Sequence, residues 1–91
     1  MAEKMWVIRG YDSDKETFKR TLPVGRLSEA EMITLLQRLA SRHLEDDEVV
    51  TSSLRKNAAW YTSHLEVRSS DGALETIGSG HHYTAVVREV G

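Results

Sequence analysis

The stretch LSEAEMITLLQRLASRH, residues 27–43, decides the fold, because here the apolar pattern of the chain changes from a period of two to a period of 3.6. Ser28 stands where its hydroxyl can accept from the free N–H groups of a first helical turn, and Glu31 can reach back to the Ser28 N–H. Leu27 can clasp Met32 across the same turn, so a capping box and a hydrophobic staple coincide. Met32, Leu35, Leu36, Leu39 and His43 follow at three-and-four spacing, Ile33 and Ala40 widen the stripe, and Glu29, Gln37, Arg38 and Arg42 point elsewhere. The spacing predicts one amphipathic helix from Ser28 to His43 or Leu44, with Arg42 favouring the negative end of its dipole.

Everything around this helix has the period of strands. Upstream, MWVIRGY, residues 5–11, is rich in aromatic and β-branched residues, and ETFKRTL, residues 16–22, alternates. The turn residues DSDK between them predict a hairpin, ended by Pro23 and Gly25. Downstream, DEVVTSSLRKN, residues 47–57, fits a helix by spacing, but its run of Val49, Val50 and Thr51 favours a strand. Residues 58–70 alternate Ala59, Tyr61, Ser63, Leu65 and Val67 against Trp60, Thr62, His64, Glu66 and Arg68, which predicts a long half-buried strand. Asp71-Gly72 then makes a two-residue hairpin turn that sets Ser70 opposite Ala73 and Arg68 opposite Glu75. A short strand at 73–78, the GSG turn and a last strand HYTAVVREV complete the order β-β-α-β-β-β-β.

This is an α+β pattern: a mostly antiparallel sheet of five to six strands with one helix on one face, in a single domain spanning residues 1–91. The first and last strands are apolar on both sides, Met5 and Val7 against Trp6 and Ile8, and Tyr83, Ala85 and Val87 against Val86 and Val90. Both are therefore expected to be central, and one helix leaves the second sheet face to be covered by a second copy, by curling of the sheet or by a ligand.

Composition narrows the function classes. The chain has no cysteine, which excludes disulfides, thiolate metal sites and a cysteine nucleophile. A net charge of −2 argues against a general nucleic-acid binder. No apolar run is long enough to span a bilayer and the first residues lack signal-peptide character, so the expectation is a cytoplasmic protein without a membrane partner.

Chemistry-bearing residues are few. IGSGHHY, residues 77–83, sets a glycine-serine-glycine turn before two histidines, but neighbouring residues of a strand face opposite ways, so His81 and His82 cannot share a metal ion. The turn lacks the third glycine and following helix of a dinucleotide site, and a Ser79 nucleophile would lack its strand-to-helix elbow. EDDE, residues 45–48, lacks the glycine and spacing of a calcium loop and reads as a solvated connection. His43, on the apolar stripe, is expected to be a hydrogen-bonded core residue.

No catalytic residue, cofactor or metal site is therefore expected. The expectation is a non-catalytic association domain that forms a homodimer and binds a partner protein. Its candidate interaction surface comprises Trp60, His64 and Arg68 on the strand at 58–70, with Lys19, Arg20 and Arg26 of the basic stretch 15–26. Two alternatives stand beside it. One is a nucleic-acid-binding module using that basic hairpin or the sheet face around Trp60; the other is a ligand binder or enzyme with a pocket between sheet and helix, where His43 and His64 are the candidates.

Overall fold

The computed structural model describes residues 3–70, 72–77 and 80–90, with the backbone alone of Val90. Gly78 and Ser79 of the GSG turn, with the Ser79 reading, and Asp71 of the expected hairpin turn lie outside the described residues. The architecture is α+β: a five-stranded antiparallel sheet with two helices. Strand β1, Glu3–Asp12, and strand β2, Lys15–Pro23, form the expected hairpin, and a 3-10 turn, Val24–Arg26, leads into helix α1, Glu29–Ser41. Helix α2, Asp46–Ser52, follows, and then strands β3, Val67–Ser70, β4, Ala73–Thr76, and β5, His81–Val90.

Helix α1 begins as its sequence dictates. Ser28 is the N-cap; its hydroxyl accepts from the Glu31 N–H at 3.1 Å, and the Glu31 carboxylate accepts from the Ser28 N–H at 3.0 Å. Those bonds, first the backbone one and then the side-chain one, hold the Glu31 carboxyl below its ordinary range. Met32 and Leu36 are wholly buried and Ala40 nearly so, while Ile33, Leu35 and Leu39 flank them. The helix stops at Ser41, before His43, so His43 lies in the turn beyond it and is exposed rather than a core residue.

Two downstream expectations are corrected. Residues 46–52 are helical, not a strand, because EDDE supplies a helix start: the Glu45 N–H donates to the Glu48 carboxylate at 2.9 Å, and three acidic residues occupy the first turn, where the helix dipole favours negative charge. These terms outweigh the β-branched run. Residues 58–66 are turns and loop, and only Val67–Ser70 of the expected long strand joins the sheet. The Ala58 N–H donates back to the Arg55 carbonyl, the Tyr61 N–H to Ala58 and the Glu66 N–H to Ser63, while the Thr62 N–H is taken by the Thr51 carbonyl of α2. The alternation there belongs to a loop that wraps over α2 instead of a pleat.

The sheet order is β2-β1-β5-β4-β3, so the first and last strands are central, as their two apolar sides require. They pair along their whole lengths, from Glu3 opposite Val90 to Asp12 opposite His81. In the β3–β4 hairpin the register sets Ser70 opposite Ala73 and Arg68 opposite Glu75, as the turn chemistry implies. Trp6, Ile8, Leu74, Tyr83 and Ala85 form one buried cluster with Met32, Leu36 and Ala40, which defines the helix-covered face. The Trp6 indole N–H reaches the Leu27 carbonyl at 2.9 Å and ties β1 to the start of α1.

Gly10 lies on that face against the Tyr83 ring. A Cβ there would stand 2.6 Å from Tyr83 Cε1, 2.9 Å from Cδ1 and 3.2 Å from Phe18 Cβ. Gly10→Ala should displace the Tyr83 ring and lower unfolding free energy by about 1–3 kcal/mol in a urea titration. An unchanged midpoint would mean that the ring moves aside freely.

Candidate functional site

Two surfaces carry unassigned chemistry: the sheet face turned away from α1, and a cleft where α1 ends above the first residues of β5. On the open face the alternation of five paired strands produces rows. Thr21, Val7, Val86, Ala73 and Ser70 form one row across the sheet, and Lys19, Arg9, Thr84, Glu75 and Arg68 form the next. Met5 and Arg88 lie beyond the first row; Tyr11 and His82 lie beyond the second, with their rings stacked 5.0 Å apart. Among the described residues no helix or strand covers this face.

The face joins an apolar strip to a charged one. Val7 is 8% exposed yet lies outside the helix-side core cluster, shielded by its sheet neighbours. Arg9 approaches Glu16 with Nε at 3.4 Å, but the geometry is not that of a hydrogen bond, and this buried Nε has no hydrogen-bond partner among the described residues. Arg68 and Glu75 face each other by register, yet they are not among the ion pairs formed by the described residues.

The cleft has a volume of about 200 Å3 and is lined by Ala40, His43, Leu44, Glu48, His64, Thr76 and His81. Its feature is a pair of imidazoles in parallel planes: the His43 and His81 rings lie 3.8 Å apart and 2° from coplanar orientation. His43 Nε2 shares a 2.6 Å hydrogen bond with the hydroxyl of the buried Tyr83. On the opposite wall His64 Nε2 stands 3.5 Å from the Glu48 carboxylate. Desolvation of its ring, followed by the charges of His81 and Arg42, holds His43 below the ordinary imidazole range, while Asp12 acts in the opposite sense.

Stacked imidazoles aim their in-plane lone pairs along parallel planes, so the two rings do not converge on one cation as metal ligands must. Among the described residues no three histidine, aspartate or glutamate side chains are grouped to hold a metal ion. His81 and His82 go to opposite faces, His81 to the cleft and His82 to Tyr11.

The residues singled out from sequence are dispersed. Trp60, 71% exposed, and His64 lie on the loop before β3 rather than on a strand face with Arg68. Lys19 and Arg68 fall at opposite ends of the charged row, Arg20 projects to the other face with its guanidinium 5.5 Å from the Phe18 ring centroid, and Arg26 closes the 3-10 turn. What sequence reasoning missed is the meeting of His43 with His81 and Tyr83, and the pairing of Arg9 with the charged row. The available signal for the first was that His43 extends the α1 stripe beyond the last apolar residue, and so points at a strand end.

A larger open groove of about 450 Å3 lies between α1, the loop and β3, with Ile33, Leu54, Leu65 and Ile77 among its apolar residues. Glu66 at its margin is held below its usual carboxylate range by hydrogen bonds from Tyr61 and then Lys56, the latter with Nζ at 3.1 Å. Among the described residues no helix is long and apolar enough to cross a membrane.

Removal of the Tyr83 hydroxyl tests the cleft's anchor. Tyr83→Phe should cost about 1 kcal/mol of stability, the ordinary value of one such hydrogen bond, and should alter the His43 ring-proton resonances. Unaltered ring resonances would show that the two groups are apart in solution. No protein-family model matches this chain, and no curated protein and no solved structure matches it either.

Proposed function

We propose that the protein is an association domain that pairs with a second copy of itself through the open sheet face. The single observation that carries this reading is the composition of the two central rows, an apolar strip of Val7, Val86 and Ala73 beside a strip in which Arg9 and Glu75 flank Thr84 symmetrically about β5. Facing sheets pack about 10 Å apart with nearly aligned strands. A two-fold axis running along β5 would then set Val86 against Val86 of the partner subunit, and Arg9 against Glu75 of the partner subunit, twice over. It brings a second carboxylate to Arg9, whose Nε lies near Glu16 but has no hydrogen-bond partner among the described residues, and it buries apolar area, the combination typical of a paired interface with a polar rim.

The reading predicts a dimer in sedimentation equilibrium at micromolar concentration. Val86→Glu should yield a monomer that retains its circular dichroism, since Val86 lies outside the helix-side core. Arg9→Glu and Glu75→Arg should each weaken association by about tenfold or more, and the double exchange should recover most of the loss. A native chain that stays monomeric throughout, or a double exchange no better than its parents, would overturn the proposal. A protein-binding role beyond the pair would use the outer strands β2 and β3, where Lys19 and Arg68 stand at the two ends of the charged row.

A further inference from the structure

The stacked histidines join two layers of the molecule. His43 stands in the turn after α1, and His81 opens β5, the middle strand of the sheet. Two neutral imidazoles, or one neutral and one charged, stack at 3.8 Å without repulsion; two imidazolium ions do not. We infer that this pair is a proton-operated latch, closed while at most one ring is charged, which releases the turn between α1 and α2 from the start of β5 at mildly acidic pH.

The surroundings fix the direction and the moving part. From β5 the latch meets His81 and the Tyr83 hydroxyl; from β1 it meets Asp12, whose charge favours a proton on His43; from the end of α1 it meets Arg42, whose charge opposes one. Glu48 of α2 and His64 of the loop complete the cleft wall. His64 Nε2 lies 3.5 Å from the Glu48 carboxylate, and the Thr62 hydroxyl is bonded to those of Thr51 and Ser52 at 2.9 Å each. Helix α2 and its loop therefore hold together, and the joint that opens is the one to the sheet. The closed state resists the proton that the open or unfolded chain accepts near pH 6.5, so its stability is complete above that value. It is lost as pH falls from there through the lowered value of the folded protein.

The chain contains no cysteine, so one introduced in the cleft reports opening without interference. Ala40 lines the cleft and is 8% exposed, whereas Ser69 is exposed on β3. The rate at which Ala40→Cys reacts with 4,4′-dithiodipyridine, divided by the rate for Ser69→Cys at the same pH, removes the intrinsic thiol chemistry. This ratio should rise about fivefold between about pH 7.5 and about pH 5.5, the Boltzmann weight of two like charges some 4 Å apart in a nearly aqueous dielectric. Adding His81→Gln should abolish the rise, and adding His82→Gln, on the opposite face, should leave it. Should Ala40→Cys fail to fold, the nuclear Overhauser contact between the His43 and His81 rings of the native chain reads the same event and should vanish on acidification. A ratio indifferent to pH, a rise that survives His81→Gln, or a ring contact that persists in acid would overturn the latch.

Discussion

The pairing of β1 with β5 is the contact on which the rest depends. It joins the first strand to the last, from Glu3 opposite Val90 to Asp12 opposite His81, and makes the two ends of the chain the middle of the sheet. Until it forms, β1–β2 is an isolated hairpin, β3–β4 is another, and neither presents a face broad enough for α1. The loop closed by this pairing runs at the least from Asp12 to His81, so its entropy is lost before the contacts across the sheet are gained, a pattern that slows folding. Apolar residues on both sides of these strands compensate, since each residue in the middle of the sheet buries surface whichever way it points.

That solution makes the two faces unequal. On one side α1 supplies Met32, Leu36 and Ala40 to a closed core, and Gly10 leaves room for the Tyr83 ring beside Phe18, edge to face with centroids 6.4 Å apart. On the other, Val7 and Val86 sit in the same central strands with no helix among the described residues to meet them. One helix of thirteen residues spans one face only, so a sheet centred on two apolar strands acquires an apolar strip on its back as a consequence of its own folding.

The sequence carried the sheet more clearly than the segment between α1 and β3. Strands β1 and β5 announce themselves by long aromatic and β-branched runs apolar on both sides and β2 by its alternation, and the capping box of α1 is a local device whose two hydrogen bonds need nothing from the remainder of the fold. Residues 46–66 obey weaker rules. Val49, Val50 and Thr51 favour a strand by about half a kilocalorie each at most, and the acidic first turn of α2 and its capping contact outweigh that together. In 58–66 the alternation was real but had no neighbouring strand to pair with, because β3 takes its place at the sheet edge only from Val67. Periodicity reports which residues share a side of an extended chain; it does not report whether a ladder partner exists.

The histidine cleft shows the same limit in chemical terms. His81 and His82 are adjacent in sequence, and the pleat separates them onto two surfaces, one against His43 and one against Tyr11. His43 and Tyr83, forty residues apart, share a hydrogen bond of 2.6 Å. Their meeting follows from a mismatch of lengths: α1 ends at Ser41 while β5 begins as early as His81, so among the described residues the first part of the strand has no apolar residue of α1 above it. Polar side chains occupy that position at lower cost than leucines would, because the cleft remains open to water. A titratable cluster at the end of a short helix is thus the outcome of covering a long strand incompletely, and the residues that fill the gap are the ones whose charge can respond to the solvent reaching them.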